Sequence, residues 1–116
     1  MSELFEILEV GSAGTAVVLR VAGRLDAKSA PRLTQRCAEI RADGRDVIVN
    51  LSGVTFIASS GLGAILSLTE EFKQADRRLR IASPSQAVLS VVQLLNLDQF
   101  LSIDSSEEEA VRVLGS

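Results

Sequence analysis

The chain contains no histidine, tryptophan or tyrosine, a single cysteine and two prolines. Without histidine, the usual general base, the commonest metal ligand and the side chain that titrates near neutrality are all removed. Catalysis is therefore disfavoured, and no catalytic residue, metal site or cofactor is expected. Four phenylalanines are the only aromatics, so the stacking platforms of single-strand nucleic-acid binders are missing. Twelve Lys and Arg against fifteen Asp and Glu leave a net charge of −3, which offers no field for a phosphate backbone. Nucleic acid is not an expected partner. Cys37 has no second cysteine to pair with, and in "RLTQRCAEI" helical spacing turns it inward with Leu33 and Ile40, as a buried structural thiol. No apolar run approaches the roughly 18 residues of a membrane span. The opening "MSELFEILEV" has neither the basic nor the apolar region of a secretion signal. A soluble, cytoplasmic protein with no membrane span is expected.

What is present is enough apolar material for a core. At 116 residues and 47% apolar content the chain suits one domain, 1–116, without disulfide or metal staples. "LFEILEV" (4–10), a "GSAG" turn (11–14) and "TAVVLRVA" (15–22) predict a hairpin. Ala30, Leu33, Cys37 and Ile40 then recur at i, i+3, i+7 and i+10, one face of an amphipathic helix, with Pro31 in its first turn and Gly44 just past its end. "DVIVNL" (46–51) reads as a short strand covered on both faces. A second helix is predicted from Ser60, with Leu62, Ile65, Leu66 and Phe72 on one face. A strand at 79–82, a short helix from about Ser85, an edge strand in "QFLSI" and a final helix follow. In that last helix Ser106 and Glu109 have capping-box spacing, and Glu107 and Glu108 occupy a first turn that favours acid. The order β-β-α-β-α-β-α-β-α implies parallel pairing with right-handed crossovers.

The stretch "FIASSGLG", 56–63, places hydroxyls where a strand hands over to a helix. A nucleophile elbow would need Gly two residues before the serine, where Ile57 or Ala58 stands, and a histidine that the chain lacks. A dinucleotide cradle would need a third glycine at Leu66, and the Gly-Lys-Ser/Thr of a P-loop never occurs. Two readings remain open on local physics: a serine that caps the helix, or a serine exposed at the carboxyl end of a parallel strand for modification.

"VIVNLSGVTFIASSGLGAIL" closely resembles the signature of the STAS domain in bacterial anti-sigma factor antagonists, and "GRLDAKSAPRL", 23–33, resembles that family's strand-turn-helix segment, with Asp26 at its acidic position. The resemblance spans essentially the whole chain. It implies an α/β fold with a mixed four- to five-stranded sheet and about four helices mainly on one face. It also implies a non-enzyme that binds an anti-sigma factor with serine kinase activity in a partner switch, with Ser59 phosphorylated by that kinase and restored by a phosphoserine phosphatase. Asp26, Ser29, Asn50, Ser60, Gly61 and Gly63 would shape the neighbourhood of Ser59 and contact the partner, with Ser60 expected as the helix cap. Local alternatives stand beside two of these: capping near 27–29 for Asp26, and a strand-end turn for Asn50. The family pattern has Asp where this chain has Ala58, which removes a carboxylate from beside the acceptor. The rival reading is a STAS scaffold or docking subunit of a larger signalling complex without phosphoswitching.

Overall fold

A computed structural model describes residues 4–115, so the extreme ends of the expected 1–116 unit lie outside the described residues. The elements follow the expected order: β1 (Glu6–Ala13), β2 (Ala16–Leu25), α1 (Ala30–Ala42), β3 (Asp46–Ile57), α2 (Ser59–Gln74), β4 (Leu79–Ala82), α3 (Gln86–Leu94), β5 (Ile103–Asp104) and α4 (Glu107–Leu114). They build a five-stranded sheet in sequence order. β1 runs antiparallel to β2, and β2 through β5 are mutually parallel.

Alternation along the central strands assigns the two faces. Val17, Leu19 and Val21 of β2, with Val47, Val49 and Leu51 of β3, enter the main core under α1, α2 and α3. Ala16, Val18 and Ile48 face the other way, toward Ala110 and Leu114 of α4. Successive right-handed crossovers in one direction along a sheet return to the same face, so α1, α2 and α3 share a layer, and α4 covers the other. The stripe predicted for α1 is the stripe that is buried, Ala30, Leu33, Cys37 and Ile40, with Pro31 at the start and Gly44 at φ 73° beyond the end. Burial pushes the Cys37 thiol up to about 12.

Several boundaries differ from expectation. The turn of the first hairpin is not the whole "GSAG" segment. Ala13 pairs with Ala16, leaving Gly14, at φ 60°, and Thr15 as a two-residue loop, while Gly11 lies inside the strand next to a bulge. β3 runs on to Ile57 instead of stopping at Leu51, because two irregularities in its pairing with β2 absorb extra residues, between Asn50 and Gly53 and between Val54 and Phe56. Past the first of these, Ser52, Gly53, Thr55 and Phe56 are exposed, which hides the strand from a periodicity reading. "QFLSI" is not a strand as a whole: the ladder to β4 begins only at Ile103. At α4, Ser106 accepts a hydrogen bond from the Glu109 N–H at 3.1 Å, one half of the expected box, but the Glu109 carboxylate accepts from the Ser105 hydroxyl at 3.0 Å.

Candidate functional site

The site grows from the carboxyl ends of two neighbouring parallel strands. Leu25 of β2 pairs with Ile57 of β3, and the Ala58 N–H donates to the Leu25 carbonyl at 2.9 Å, so the 26–29 turn and the start of α2 emerge side by side. Gly61, in the first turn of α2, lies against the same Leu25 backbone, and a Cβ there would sit on its carbonyl oxygen. That close approach is what residue 61 must permit.

In the 26–29 turn the Asp26 carboxylate accepts the N–H groups of Lys28 at 3.0 Å and Ser29 at 3.2 Å, with Arg24 at 3.8 Å. These contacts, the Ser29 N–H first among them, hold its carboxyl below the usual range against a smaller opposing effect of desolvation. Ser29 is buried; its hydroxyl donates to the Arg24 carbonyl at 2.6 Å and accepts from the Asp26 N–H at 2.9 Å. Both side chains therefore fix the entry to α1, the local role weighed for Asp26. Ser29 offers its hydroxyl to the chain and not to the surface.

α2 begins at Ser59, one residue earlier than predicted, and Ala58 occupies its cap position. Neither serine caps the helix. Ala58 has the extended geometry of a cap, φ −90° and ψ 168°, but its methyl group cannot accept a hydrogen bond, and the first turn contains no acidic side chain. The first helical bond is that of the Leu62 N–H to the Ala58 carbonyl, at 3.0 Å. The preceding N–H groups, of Ser59, Ser60 and Gly61, have no intrahelical acceptor; Ser59 and Ser60 are exposed, and Gly61 is buried. The contrast with the two short helices α3 and α4 is direct: Ser85 and Ser106 each accept the N–H three residues on, at 3.3 and 3.1 Å.

Next to this uncapped terminus, the facing sides of α1 and α2 leave an open groove of about 520 Å³. Small residues line it, among them Ala27, Ala30, Ser60, Gly63 and Ala64. Gly63 is exposed, and a Cβ on it would meet nothing within 4 Å. Glycine in a helix interior costs roughly 0.5–1 kcal/mol relative to alanine, and no contact among the described residues requires it there.

Asn50 does not belong to this end. Strand alternation puts it on the α4 face, well before the end of β3, where its amide donates to the Glu107 carboxylate at 2.5 Å and its carbonyl oxygen accepts the Ser52 N–H at 2.8 Å. That second bond takes an N–H which the irregularity after Asn50 removes from regular pairing, close to the turn role weighed for it. Glu107 also receives two hydrogen bonds from Arg20, at 2.8 and 3.0 Å. The Arg20 bonds, helped by Asn50 and opposed by desolvation, hold the Glu107 carboxyl below its ordinary value. Asn50 is thus part of a latch that seats α4. Its partner lies so far along the chain that sequence spacing carried no signal of it.

The sequence model of the STAS domain family matches residues 7–110. The chain belongs to the STAS domain family. Among curated relatives, the anti-sigma-B factor antagonist of Staphylococcus aureus (strain NCTC 8325 / PS 47) is 29% identical over 91 residues, 78% of this chain and 84% of that protein. Among solved structures, this STAS domain is similar to the anti-sigma factor antagonist SpoIIAA in its unphosphorylated form, with TM-score 0.73, 26% identity and 97% and 98% of the two chains covered. It is also similar to the phosphorylated form of Bacillus SpoIIAA, with TM-score 0.68, 25% identity and 95% and 99% covered. A crystal structure of a putative anti-sigma factor antagonist from Thermotoga maritima shares the fold, with TM-score 0.81 at 22% identity over 98% and 95% of the chains. Among the described residues no helix is long and apolar enough to cross a membrane, and no group of His, Cys, Asp or Glu is placed to hold a metal ion.

Proposed function

We propose that this STAS domain is an anti-sigma factor antagonist that binds an anti-sigma factor with serine kinase activity, and that phosphorylation of Ser59 releases it until a phosphoserine phosphatase restores the hydroxyl. The observation that carries the reading is the exposed Ser59 at the first position of an uncapped α2, beside a groove of small residues. A phosphoserine brings roughly −1.5 to −2 charges at pH 7. The first-turn N–H groups without an intrahelical acceptor and the positive end of the helix dipole favour that charge within the chain. A partner packed on the neutral hydroxyl would meet new bulk and charge. The names of the similar proteins, and the existence of SpoIIAA in both phosphorylation states, support the same reading. Catalysis then belongs to the partner, in keeping with the absence of histidine. Gly63 fits a docking role, since a glycine left open in the free chain leaves room in the groove for an approaching helix or loop.

The test uses wild-type chain and Ser59→Asp as baits in lysate of the source organism, followed by calorimetry with the kinase recovered and mapping of the phosphate after incubation with ATP. Recovery of an ATP-binding serine kinase by wild type alone, with the phosphate on Ser59, is expected. Equal affinity of the two baits, or a phosphate found on Ser60, would refute the switch. Recovery of other STAS proteins in a large assembly by both baits would favour the scaffold reading, to which Ala58 lends some support by removing the carboxylate of the family pattern.

A further inference from the structure

The two edges of the sheet are finished differently. β5 is two residues long and offers almost no ladder to another chain. β1 is eight residues long and, among the described residues, pairs on one side only, with β2. An open sheet edge is a template for a further strand, and chains ordinarily blunt it with a short strand, lysine, proline or a bulge. β1, "EILEVGSA", has no lysine and no proline, and its bulge comes late, between Glu9 and Gly11, so that Glu6–Glu9 is regular strand. The edge is also apolar where it is open: Leu8 is 57% exposed and Val10 38%. Leu8 pairs with Arg20 and so lies on the α4 face of the sheet, but the cluster around α4 takes in Ala16, Val18, Ile48 and Ala82 and does not extend to it. On the other face, a recess of about 340 Å³ between β1 and α1 is lined by Ile7, Glu9, Arg32, Gln35, Arg36 and Glu39, two cations and two carboxylates. Arg36 pairs with both Glu9 and Glu39. The chain as a whole carries −3, which keeps copies apart, but this flank is balanced and adds nothing to that repulsion.

We propose that the β1 edge is a self-association surface: two copies pair antiparallel through β1 about a two-fold axis at Leu8, joining their five-stranded sheets into one. The segment is self-complementary about that residue. Leu8 faces Leu8 of the second copy, Ile7 faces Glu9, and Glu6 faces Val10, so no carboxylate stands opposite another. An axis at Glu6 or Glu9 would oppose like charges, and an axis at Ile7 would set each Leu8 against Glu6. A ladder confined to 6–10 is short against the roughly 2,000 Å² or more of obligate dimers, so the association is weak and concentration-dependent. It does not rest on the phosphoswitch reading, and no residue of the Ser59 neighbourhood takes part.

Sedimentation velocity of the full chain between about 10 µM and 1 mM should show the sedimentation coefficient rising toward that of a dimer. Leu8→Lys sets two like charges face to face at the axis and should weaken association about tenfold or more, with Tm preserved because the position is exposed. Cysteine variants in a glutathione redox buffer read the register, and the buried Cys37 does not compete. Opposed residues of an antiparallel pair have Cα atoms about 4.5–5.5 Å apart, within disulfide reach, so Leu8→Cys should give a disulfide-linked dimer. Glu6→Cys, also exposed, is displaced from its own copy by four residues in this register, beyond the roughly 7 Å limit, and should stay monomeric. A sedimentation coefficient independent of concentration up to about 1 mM overturns the proposal. So does association that survives Leu8→Lys, which would put the contact on another patch such as the exposed Leu94, Leu95 and Phe100. Cross-linking that is absent at position 8, or equal at 6 and 8 as chance collision gives, overturns it as well.

Discussion

The cap position of α2 is the most direct place to test how this site is built. Ala58 has cap dihedrals but no acceptor, while Ser85 and Ser106, at comparable geometry, each accept the N–H three residues on. Ala58→Asp therefore should accept from the Gly61 N–H and place a negative charge at the positive end of the helix dipole. Replacing alanine by a good cap is worth about 0.5–2 kcal/mol. For 116 residues, an unfolding entropy of roughly 2.1 cal/mol/K per residue sums to about 0.24 kcal/mol/K, so Tm should rise by about 2–8 °C. Differential scanning calorimetry of wild type, Ala58→Asp, Ser59→Asp and the double variant completes the test. Ser59→Asp alone should leave Tm unchanged or slightly raised, because acid in the first turn is favoured. The double variant should gain less than the sum, because two adjacent carboxylates compete for the same N–H groups and repel each other. An unchanged or lowered Tm for Ala58→Asp would refute the account of α2 as uncapped. With it would go the argument that the first-turn N–H groups are available to a phosphate on Ser59.

Three further outcomes are expected. Gly61→Ala should destabilise by about 1–3 kcal/mol through overpacking against Leu25, whereas Gly63→Ala should stabilise by about 0.5–1 kcal/mol yet weaken the proposed complex with an anti-sigma factor; urea unfolding beside calorimetric binding checks both, and equal stability effects at the two positions would contradict the packing described. Glu107→Gln should lower Tm by a few degrees at neutral pH. Because the folded carboxyl lies below its unfolded value, the stability it adds is present above about pH 4.3 and is lost as pH falls through the folded value, so the gap between wild type and variant should close in acid and a gap independent of pH would refute the latch. Cys37, buried and with its thiol pushed up to about 12, should react with a disulfide reagent at pH 8 only as fast as the chain opens, and rapid reaction of the folded chain would contradict its burial.

How much of this was legible in the sequence follows from the distance over which each interaction acts. The α1 stripe and the Ser85 and Ser106 starts are local patterns, set by helical period and by an acceptor three residues from its donor, and they were readable. The end of β3 was not, because two pairing irregularities break the alternation that announces a strand, and the residues after Leu51 turn outward. "QFLSI" misled in the opposite direction: its apolar content reflects a buried Leu101 between exposed Gln99 and Phe100 and a half-buried Ile103, a loop with a two-residue strand at its end. Serine at a strand-to-helix junction suggested a cap by residue type, but the cap is a position defined by dihedrals, and those belong to Ala58. Asn50 and Glu107 meet only through tertiary packing, so the signature stretch containing both Asn50 and Ser59 carried no sign that they serve different faces.

That division of faces bears on how the proposed switch would operate. The elements flanking Ser59 are fixed from beneath: Leu62, Ile65, Leu68 and Phe72 anchor α2 in the core, and Gly61 seats its first turn on the Leu25 carbonyl. A phosphate at the first helical position would add charge where the helix already favours it, so nothing in the core is asked to rearrange. The discrimination would then lie in the surface presented to the partner and not in a change of fold. The two designs differ measurably. If surface chemistry is the mechanism, Ser59→Asp should lose the partner while its amide spectrum departs from wild type only around 57–64 and the adjoining 25–30 turn. Shifts spreading through β4, α3 or the Asn50–Glu107 latch would mean that the switch works by moving the sheet, and the local account would be wrong.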